Sequence, residues 1–421
     1  MRQHVSVDAV VAGGGPSGIA VVGNLLAHLP QQHRQLWADP LFKAGRVNGR
    51  YREVPSNTKV ELFSKFATAV EPFRHIVDNA VRPNAFTALG ELPQDKGCEL
   101  GHAADICLML SDGIGQHFNH VQRHSGEITA ACLDKATNLW TVFLDNKDTA
   151  TTPRLVLCTG SSPISEPTHI LREITSQAKQ TIQNLHLDTA LTPSILGKTI
   201  KANVPATVAV IGASHSAILV LMNLFNLAIT THPHLKIKWF TRHQNLRYAK
   251  YMDGWILYDN TGLKGEAAQW ARENLEDSAF FSSPVSKVIT KLWTPGELEE
   301  GVYGDELPTC THIVQAIGYR RDALPNLSSV ENPGAAPQSL SIEHDGLTGR
   351  FFDESSRGLP AQDRAHIPGL FGAGIAFPER VTDPAGNVEH AVGFWKFMNF
   401  CKRVVPQWAE FPNELPTNGG N

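Results

Sequence analysis

The sequence predicts an α/β protein in which one kind of strand–turn–helix unit occurs twice, the second copy embedded between two parts of the first. Two observations carry this. The chain opens with Ser6-Val7-Asp8-Ala9-Val10-Val11-Ala12, an apolar run rich in β-branched residues that reads as a buried parallel strand. Gly13-Gly14-Gly15-Pro16-Ser17-Gly18 follows, then Ile19 to Leu29, apolar at helical spacing and stopped by Pro30. The pattern returns as Ala206 to Ile211, then Gly212-Ala213-Ser214-His215-Ser216-Ala217, then the apolar stretch Ile218 to Ala228.

The totals bound the classes. A length of 421 residues suits two or three domains, and 42% apolar with 19% charged residues is ordinary for a globular chain. The formal charge of −4 offers no basic patch for nucleic acid. No apolar run reaches the roughly 18 residues of a membrane helix. The first strand starts so close to Met1 that no leader is expected, which predicts a cytoplasmic protein. Six scattered cysteines form no C-x-x-C pair, which argues against a disulfide framework, a metal site and a redox-active dithiol.

In the first unit each glycine has a physical task. Gly13 permits the tight turn, Gly15 lets the backbone approach a pyrophosphate, and Gly18 lets the helix pack against the strand. The helix start at Pro16 and Ser17 turns free N–H groups and a positive dipole end toward phosphates. The next strand, Gln35-Leu36-Trp37-Ala38, ends in Asp39, 21 positions after Gly18, where a carboxylate accepts hydrogen bonds from a ribose diol. The spacing therefore predicts a dinucleotide site.

The intervening chain fits that frame. The long stretch through Ala44-Gly45-Arg46-Val47 and Tyr51 to Phe63 lies beside the site and reads as functional. Asp105 to Phe118 reads as a helix. Gly126 to Cys132 and Leu139 to Leu144 read as a β-hairpin flap that brings Ile128 near the cofactor. Arg154 to Gly160 is a core strand ending in Thr159-Gly160. Residues 161–204 form a connector broken by Pro163 and Pro193. In the second unit, Lys236 to Phe240 ends in Thr241-Arg242-His243, and Thr311 to Tyr319 reads as the closing strand. Gly369 to Gly374 is a further strand, with Gly372 at the cofactor. After Asp383-Pro384-Ala385-Gly386-Asn387 a helix is expected from Val388 to Val404, and the tail from Pro412 reads as disordered. The domains are then 1–165 with 335–421, and 200–330 inserted.

The two units differ at the strand end. Asp39 suits an unphosphorylated ribose, as in FAD. The second unit has Arg242, with His243 and Arg247 close by, and a guanidinium can pair with a 2′-phosphate through a bidentate fork, which predicts NADPH. Ser214 stands where a second glycine is usual, and its hydroxyl can donate to a phosphate. His215 and Ser216 complete that turn.

With these residues in place the chain resembles the flavoproteins with two dinucleotide-binding domains, and among them the flavin-containing and N-hydroxylating monooxygenases. Gly13 to Gly18 resembles their FAD turn and Leu155 to Gly160 their strand ending in Ala-Thr-Gly, with Cys158 for Ala. Gly212 to Ala217 resembles their NADPH turn. Ala316-Ile317-Gly318-Tyr319 is similar to A-T-G-Y, with Ile317 for Thr. Val54-Pro55-Ser56-Asn57-Thr58-Lys59, followed by Phe63-Ser64-Lys65-Phe66, resembles the stretch whose asparagine lies over the flavin, which implies that role for Asn57. The F-x-G-x-x-x-H fingerprint is not recognisable, and Ala44 to Val47 replaces Gly-Gly-x-Trp.

The resemblance implies NADPH reducing FAD, and a C4a-(hydro)peroxyflavin that passes one oxygen of O2 to a nitrogen, sulfur or activated carbon of a small molecule. It also implies that the helix expected from Val388 aims its N-terminus at the flavin, with Asn387 beside it. Two alternatives stay open from the residues alone: an NAD(P)H-dependent flavin reductase or oxidase without oxygen transfer, and a non-catalytic FAD-binding regulatory protein. Glu389-His390 is not read as an acid–base pair, because neighbouring helical positions do not face each other.

Overall fold

The structure, a computed structural model, describes residues 3–166, 169–177, 181–332, 334–360 and 363–411; the tail from Pro412 lies outside the described residues. Two Rossmann-like sheets organise it. The first has seven strands in the order Ile342–His344, Arg350–Asp353, His366–Gly372, Leu155–Leu157, Ala9–Ala12, Gln35–Ala38 and Val121–His124. The five strands from His366–Gly372 onward are parallel, and the other two are antiparallel additions at the edge. Leu370 lies opposite Leu155, so strands from distant parts of the chain complete one sheet.

Side-chain alternation divides this sheet between two cores. Ala9, Val11, Trp37, Val156 and Phe371 face the helices Pro16–His28, Val60–Ala67, Leu100–His117 and Phe394–Glu410. Val10, Ala12, Leu36, Leu155 and Leu370 face a second, six-stranded sheet. That sheet contains Ile128–Asp134 and Leu139–Leu144, so the expected hairpin is the middle of a sheet and not a free flap. Ser6 belongs to it too, in the strand His4–Ser6. The opening run is therefore two strands, separated where the Asp8 carboxylate accepts from the Arg34 N–H at 2.7 Å.

The second Rossmann sheet has five parallel strands in the order Gln183–Asn184, His312–Gln315, Ala206–Ile211, Leu235–Thr241 and Ile289–Trp293. The strand, turn and helix of the repeat stand as expected, with the helix at His215–Thr230. The expected connector is not merely loop: it supplies Gln183–Asn184 and the helices Leu187–Leu191 and Pro193–Thr199. Between the Rossmann sheets the chain crosses twice, and the crossings, Ser161–Pro163 and Tyr319–Arg321, pair antiparallel.

The last helix differs from expectation. It spans Phe394–Glu410, and Val388–Ala391 is instead a strand paired with Glu379–Thr382. From Val388 to Val392 burial alternates exposed, buried, exposed, buried, exposed, the period of a strand. Gly393, at φ +145°, then makes the sharp change of direction into the helix.

Candidate active site

Both glycine turns are built on the same three contacts. At the first, the Gly13 N–H donates to the Ala38 carbonyl at 2.8 Å, and the Trp37 indole N–H donates to the Gly13 carbonyl at 2.8 Å. Gly13 has φ +115°, and a Cβ there would run into the Cys158 carbonyl oxygen. At the second, the Gly212 N–H donates to the Phe240 carbonyl at 3.0 Å and the Trp239 indole N–H to the Gly212 carbonyl at 2.8 Å. Gly212 has φ +129°, with the Ala316 carbonyl where its Cβ would be. The tryptophans were not picked out from sequence, although each sits one residue before the residue whose carbonyl holds the turn glycine. The duplication also fixes register: Thr241, not Arg242, occupies the position of Asp39.

The first turn fits a dinucleotide. Space is open beyond Gly15 where a Cβ would point, whereas Gly18 is closed by the Gly13 carbonyl. No side chain caps the helix that starts at Pro16, so its leading N–H groups point unclaimed toward that space. The Thr159 hydroxyl, at the end of the adjacent strand and next to Gly160, is buried with no partner among the described residues. Asp39 braces the turn: its carboxylate accepts from the N–H groups of Gly14 at 2.6 Å, Leu41 at 2.9 Å and Phe42 at 2.6 Å. Gly45 passes within 3.3 Å of the Gly15 Cα from the position of its missing Cβ. Burial pushes the Cys158 thiol beside this turn up to about 12, so it has no thiolate chemistry to offer.

The remaining expected residues sort unevenly. Gly372 gives room to the rings of Phe351 and Phe377, and the glycine facing Ser17 is Gly374, two positions on. Ile128 starts its strand close to Gly126, whose N–H reaches the Asp39 carbonyl at 3.2 Å. Arg46 makes an ion pair with the buried Asp188 and reaches the Tyr51 hydroxyl and Ser162 Oγ, both at 3.3 Å. The Tyr51 hydroxyl also donates to Asp188 at 2.9 Å, and Ser162 donates to Asp322 at 2.5 Å. With the Tyr51 hydroxyl 3.4 Å from that of Tyr319, Arg46 reaches one crossing directly and the other through Tyr51. Asn387 lies in the turn of the hairpin, its amide donating to Asp383 at 2.8 Å, and Val388 is half exposed on that hairpin. Neither is at a helix N-terminus.

Asn57 sits where the two units meet. Its amide nitrogen lies 3.4 Å from His215 Nε2, in the second turn, and its Cα is 3.4 Å from the missing-Cβ position of Gly265. His215 Nε2 accepts from the Lys264 N–H at 2.9 Å. Burial, with the Lys264 charge nearby, lowers the His215 pKa to about 4, so the ring is neutral near pH 7 and the proton resides on Nδ1.

Lys264 ends a strap, Asp259 to Lys264, that reaches from the second unit to the first. The Lys264 ammonium holds Asp259 at 2.6 Å. Lys396, in the last helix, meets Asp259 at 2.8 Å and also bonds the Asn260 side chain. Burial and the Lys264 charge lower the Lys396 pKa against the pull of Asp259. Glu389, buried on its strand, accepts from the N–H groups of Asn260 and Thr261, while His390 faces the other way into solvent. The pair is therefore not an acid–base couple, because successive strand residues point to opposite faces. Lys264, Asp259 and Lys396 carried no motif by which sequence could have singled them out.

The second turn opens on a cavity of about 510 Å³ lined by Gly212, Ser214, Arg242, Arg247, Glu299 and Gly318, among others. Ser214 leads the helix His215–Thr230, and Ser216 lies in its first turn. Among the described residues no helix is long and apolar enough to cross a membrane, and no group of three or more metal-ligating side chains is placed to hold an ion.

Two Rossmann-like units, one inserted in the other, make up the fold. The chain aligns with the flavin-containing monooxygenase of Stenotrophomonas maltophilia at a TM-score of 0.54, over 97% of this chain and 99% of that one, with 14% sequence identity; a double mutant of that protein matches equally. No protein-family profile matches the chain. It is 51% identical over 405 residues to the monooxygenase AgnR1 of Paecilomyces divaricatus, covering 95% of this chain and 97% of that protein. The chain belongs to the monooxygenase family of AgnR1. That relationship favours the monooxygenase expectation over the reductase and regulatory alternatives.

Proposed function

We propose that this chain, a monooxygenase by family, holds FAD at the first glycine turn, takes NADPH at the second, and transfers one oxygen atom of O2 to a nitrogen, sulfur or activated carbon of a small molecule. The observation that carries the reading is the position of Asn57, a loop residue of the first unit lying against His215 of the second. The flavin, when bound, supplies hydride acceptance and oxygen activation.

The chain supplies the rest. The open backbone at Gly15, the uncapped helix start and the unpartnered Thr159 hydroxyl would hold a diphosphate. The Asn57 amide can both donate and accept, so it can orient a polar edge without being oxidised itself. Neutral His215 keeps Lys264 and the strap against the Asn57 loop. Lys264 and Lys396 bring two ammonium groups near the junction, partly balanced by Asp259. We assign the expected units, 1–165 with 335–421 and 200–330, to the two cofactors, with the strand Gln183–Asn184 added to the second unit and Asn326–Val330 returned to the first.

The test is anaerobic titration with NADPH followed by oxygen and a panel of amines, thioethers and ketones, with product measured per NADPH consumed. Oxygenated product from any member supports the reading. NADPH consumption that yields only hydrogen peroxide across the panel supports the oxidase alternative.

A further inference from the structure

The second strand end lacks an acid at the register of Asp39, yet the fold brings one to the same cavity from 57 residues away. Glu299 opens the helix Glu299–Glu306 and holds Arg242 in a fork: Nε to Oε1 at 3.1 Å, and Nη2 to Oε1 at 2.7 Å and to Oε2 at 2.9 Å. The burial of the two partners is unequal. The Glu299 side chain is 11% exposed and that of Arg242 is 64% exposed. Glu299 also lies beside the buried Tyr303, whose hydroxyl is kept from ionising by burial and, further, by the Glu299 charge, and sits at the favourable end of the helix dipole. The carboxylate is therefore the fixed member of the pair, and the guanidinium is the one free to swing.

We propose that Glu299 is a specificity-determining residue for the nicotinamide dinucleotide, competing with a 2′-phosphate for Arg242 and accepting from a 2′-hydroxyl when no phosphate is present. This rests on reading the second turn as the dinucleotide site. A 2′-phosphate drawn to Arg242 must displace a buried counter-charge and then lie close to it, which costs like-charge repulsion in partly desolvated surroundings. The second cation of the cavity, Arg247, is stacked 4.9 Å over the Tyr258 ring. An unphosphorylated ribose meets no such repulsion and finds the carboxylate its diol needs. The pocket accordingly takes both NADPH and NADH, with narrow discrimination between them.

The experiment is calorimetric titration of FAD-loaded wild type, Glu299→Gln and Arg242→Ala with NADP⁺, NAD⁺ and 2′,5′-ADP. Wild type is expected to bind NADP⁺ and NAD⁺ within about tenfold of each other, a gap of ~1.4 kcal/mol or less. Glu299→Gln tightens NADP⁺ and 2′,5′-ADP by about tenfold, and weakens NAD⁺. Arg242→Ala loses most NADP⁺ affinity and retains NAD⁺, and it decides the matter should Glu299→Gln misfold. An unchanged ratio of NADP⁺ to NAD⁺ affinity in Glu299→Gln overturns the role of Glu299, as does equal loss of both ligands in Arg242→Ala. Wild-type protein that binds none of the three overturns the dinucleotide reading of the turn itself.

Discussion

Glu389 and Thr261 meet twice: one carboxylate oxygen accepts from the Thr261 backbone N–H at 3.1 Å and from its hydroxyl at 2.5 Å. The other oxygen takes the N–H of Asn260 at 3.0 Å and its amide at 3.2 Å. One buried carboxylate thus satisfies four donors of a segment that reaches from the inserted unit onto the first. Replacing it with Ala leaves those donors without their acceptor, at a cost of about 1–3 kcal/mol. Glu389→Ala is expected to melt earlier than wild type and to be cut faster by protease within 250–264. Unchanged cleavage would show that Lys396 and His215 hold the strap without Glu389.

The glycine turn predicts a sharp contrast between neighbours. Gly13→Ala and Gly18→Ala place a methyl on a backbone carbonyl and are expected to abolish soluble folded protein. At Gly15 the added methyl meets no protein atom, so Gly15→Ala is expected to fold with wild-type circular dichroism. It should nevertheless retain FAD at least about tenfold more weakly, ~1.4 kcal/mol. The ratio of flavin to protein absorbance after purification reads this directly. A fully yellow Gly15→Ala protein would place the diphosphate elsewhere.

Stability should fall in mild acid through two histidines. Burial lowers His215 to about 4, assisted by the Lys264 charge, and burial also lowers His344 to about 4, with Arg321 lowering it further against the pull of Asp345. In the unfolded chain each returns toward 6.5 and binds a proton the folded state refuses. Their contribution is complete above pH 6.5 and is lost as pH falls from there toward 4, on the order of 2 kcal/mol per group by pH 5. Urea unfolding at pH 7 and pH 5 measures the loss, and His344→Phe is expected to flatten the slope. Equal slopes in variant and wild type would remove His344 from the account.

Asn57→Ala separates reduction from oxygen transfer. Its neighbours across the junction are His215 and Gly265, not Arg242 or the base of the cavity. NADPH-driven flavin reduction is therefore expected to keep its rate, while hydrogen peroxide released per NADPH rises and product falls. A parallel drop in the reduction rate would make Asn57 part of the hydride geometry instead.

Much of this was legible from the chain alone, because a strand, a glycine turn and a helix are local features. Gly13 to Gly18 and Gly212 to Ala217 announce themselves within a few residues. The misplacement of Val388 came from a wrong period: the alternation of Val388, Glu389, His390, Ala391 and Val392 is too short to outweigh a long apolar stretch that begins right behind it. Trp37 and Trp239 could have been found by aligning the two halves, since each stands one residue before the residue whose carbonyl holds its turn glycine. Glu299 could not, because its partnership with Arg242 depends on how separate segments fold together. The same holds for Asp259, Lys264 and Lys396, whose charges acquire meaning only when three elements converge.

The antiparallel crossings carry a practical corollary. Pro163 lies opposite Tyr319, so the cut ends left by excising the intervening segment would already be neighbours. A two- or three-residue splice should therefore yield a minimal flavin carrier whose seven-stranded sheet closes as before. The reverse design, truncation near residue 165, strips Leu155–Leu157 of its partner His366–Gly372 and leaves a raw sheet edge prone to aggregate. Dissection of this chain is a matter of looping out its middle, never of shortening it from the end.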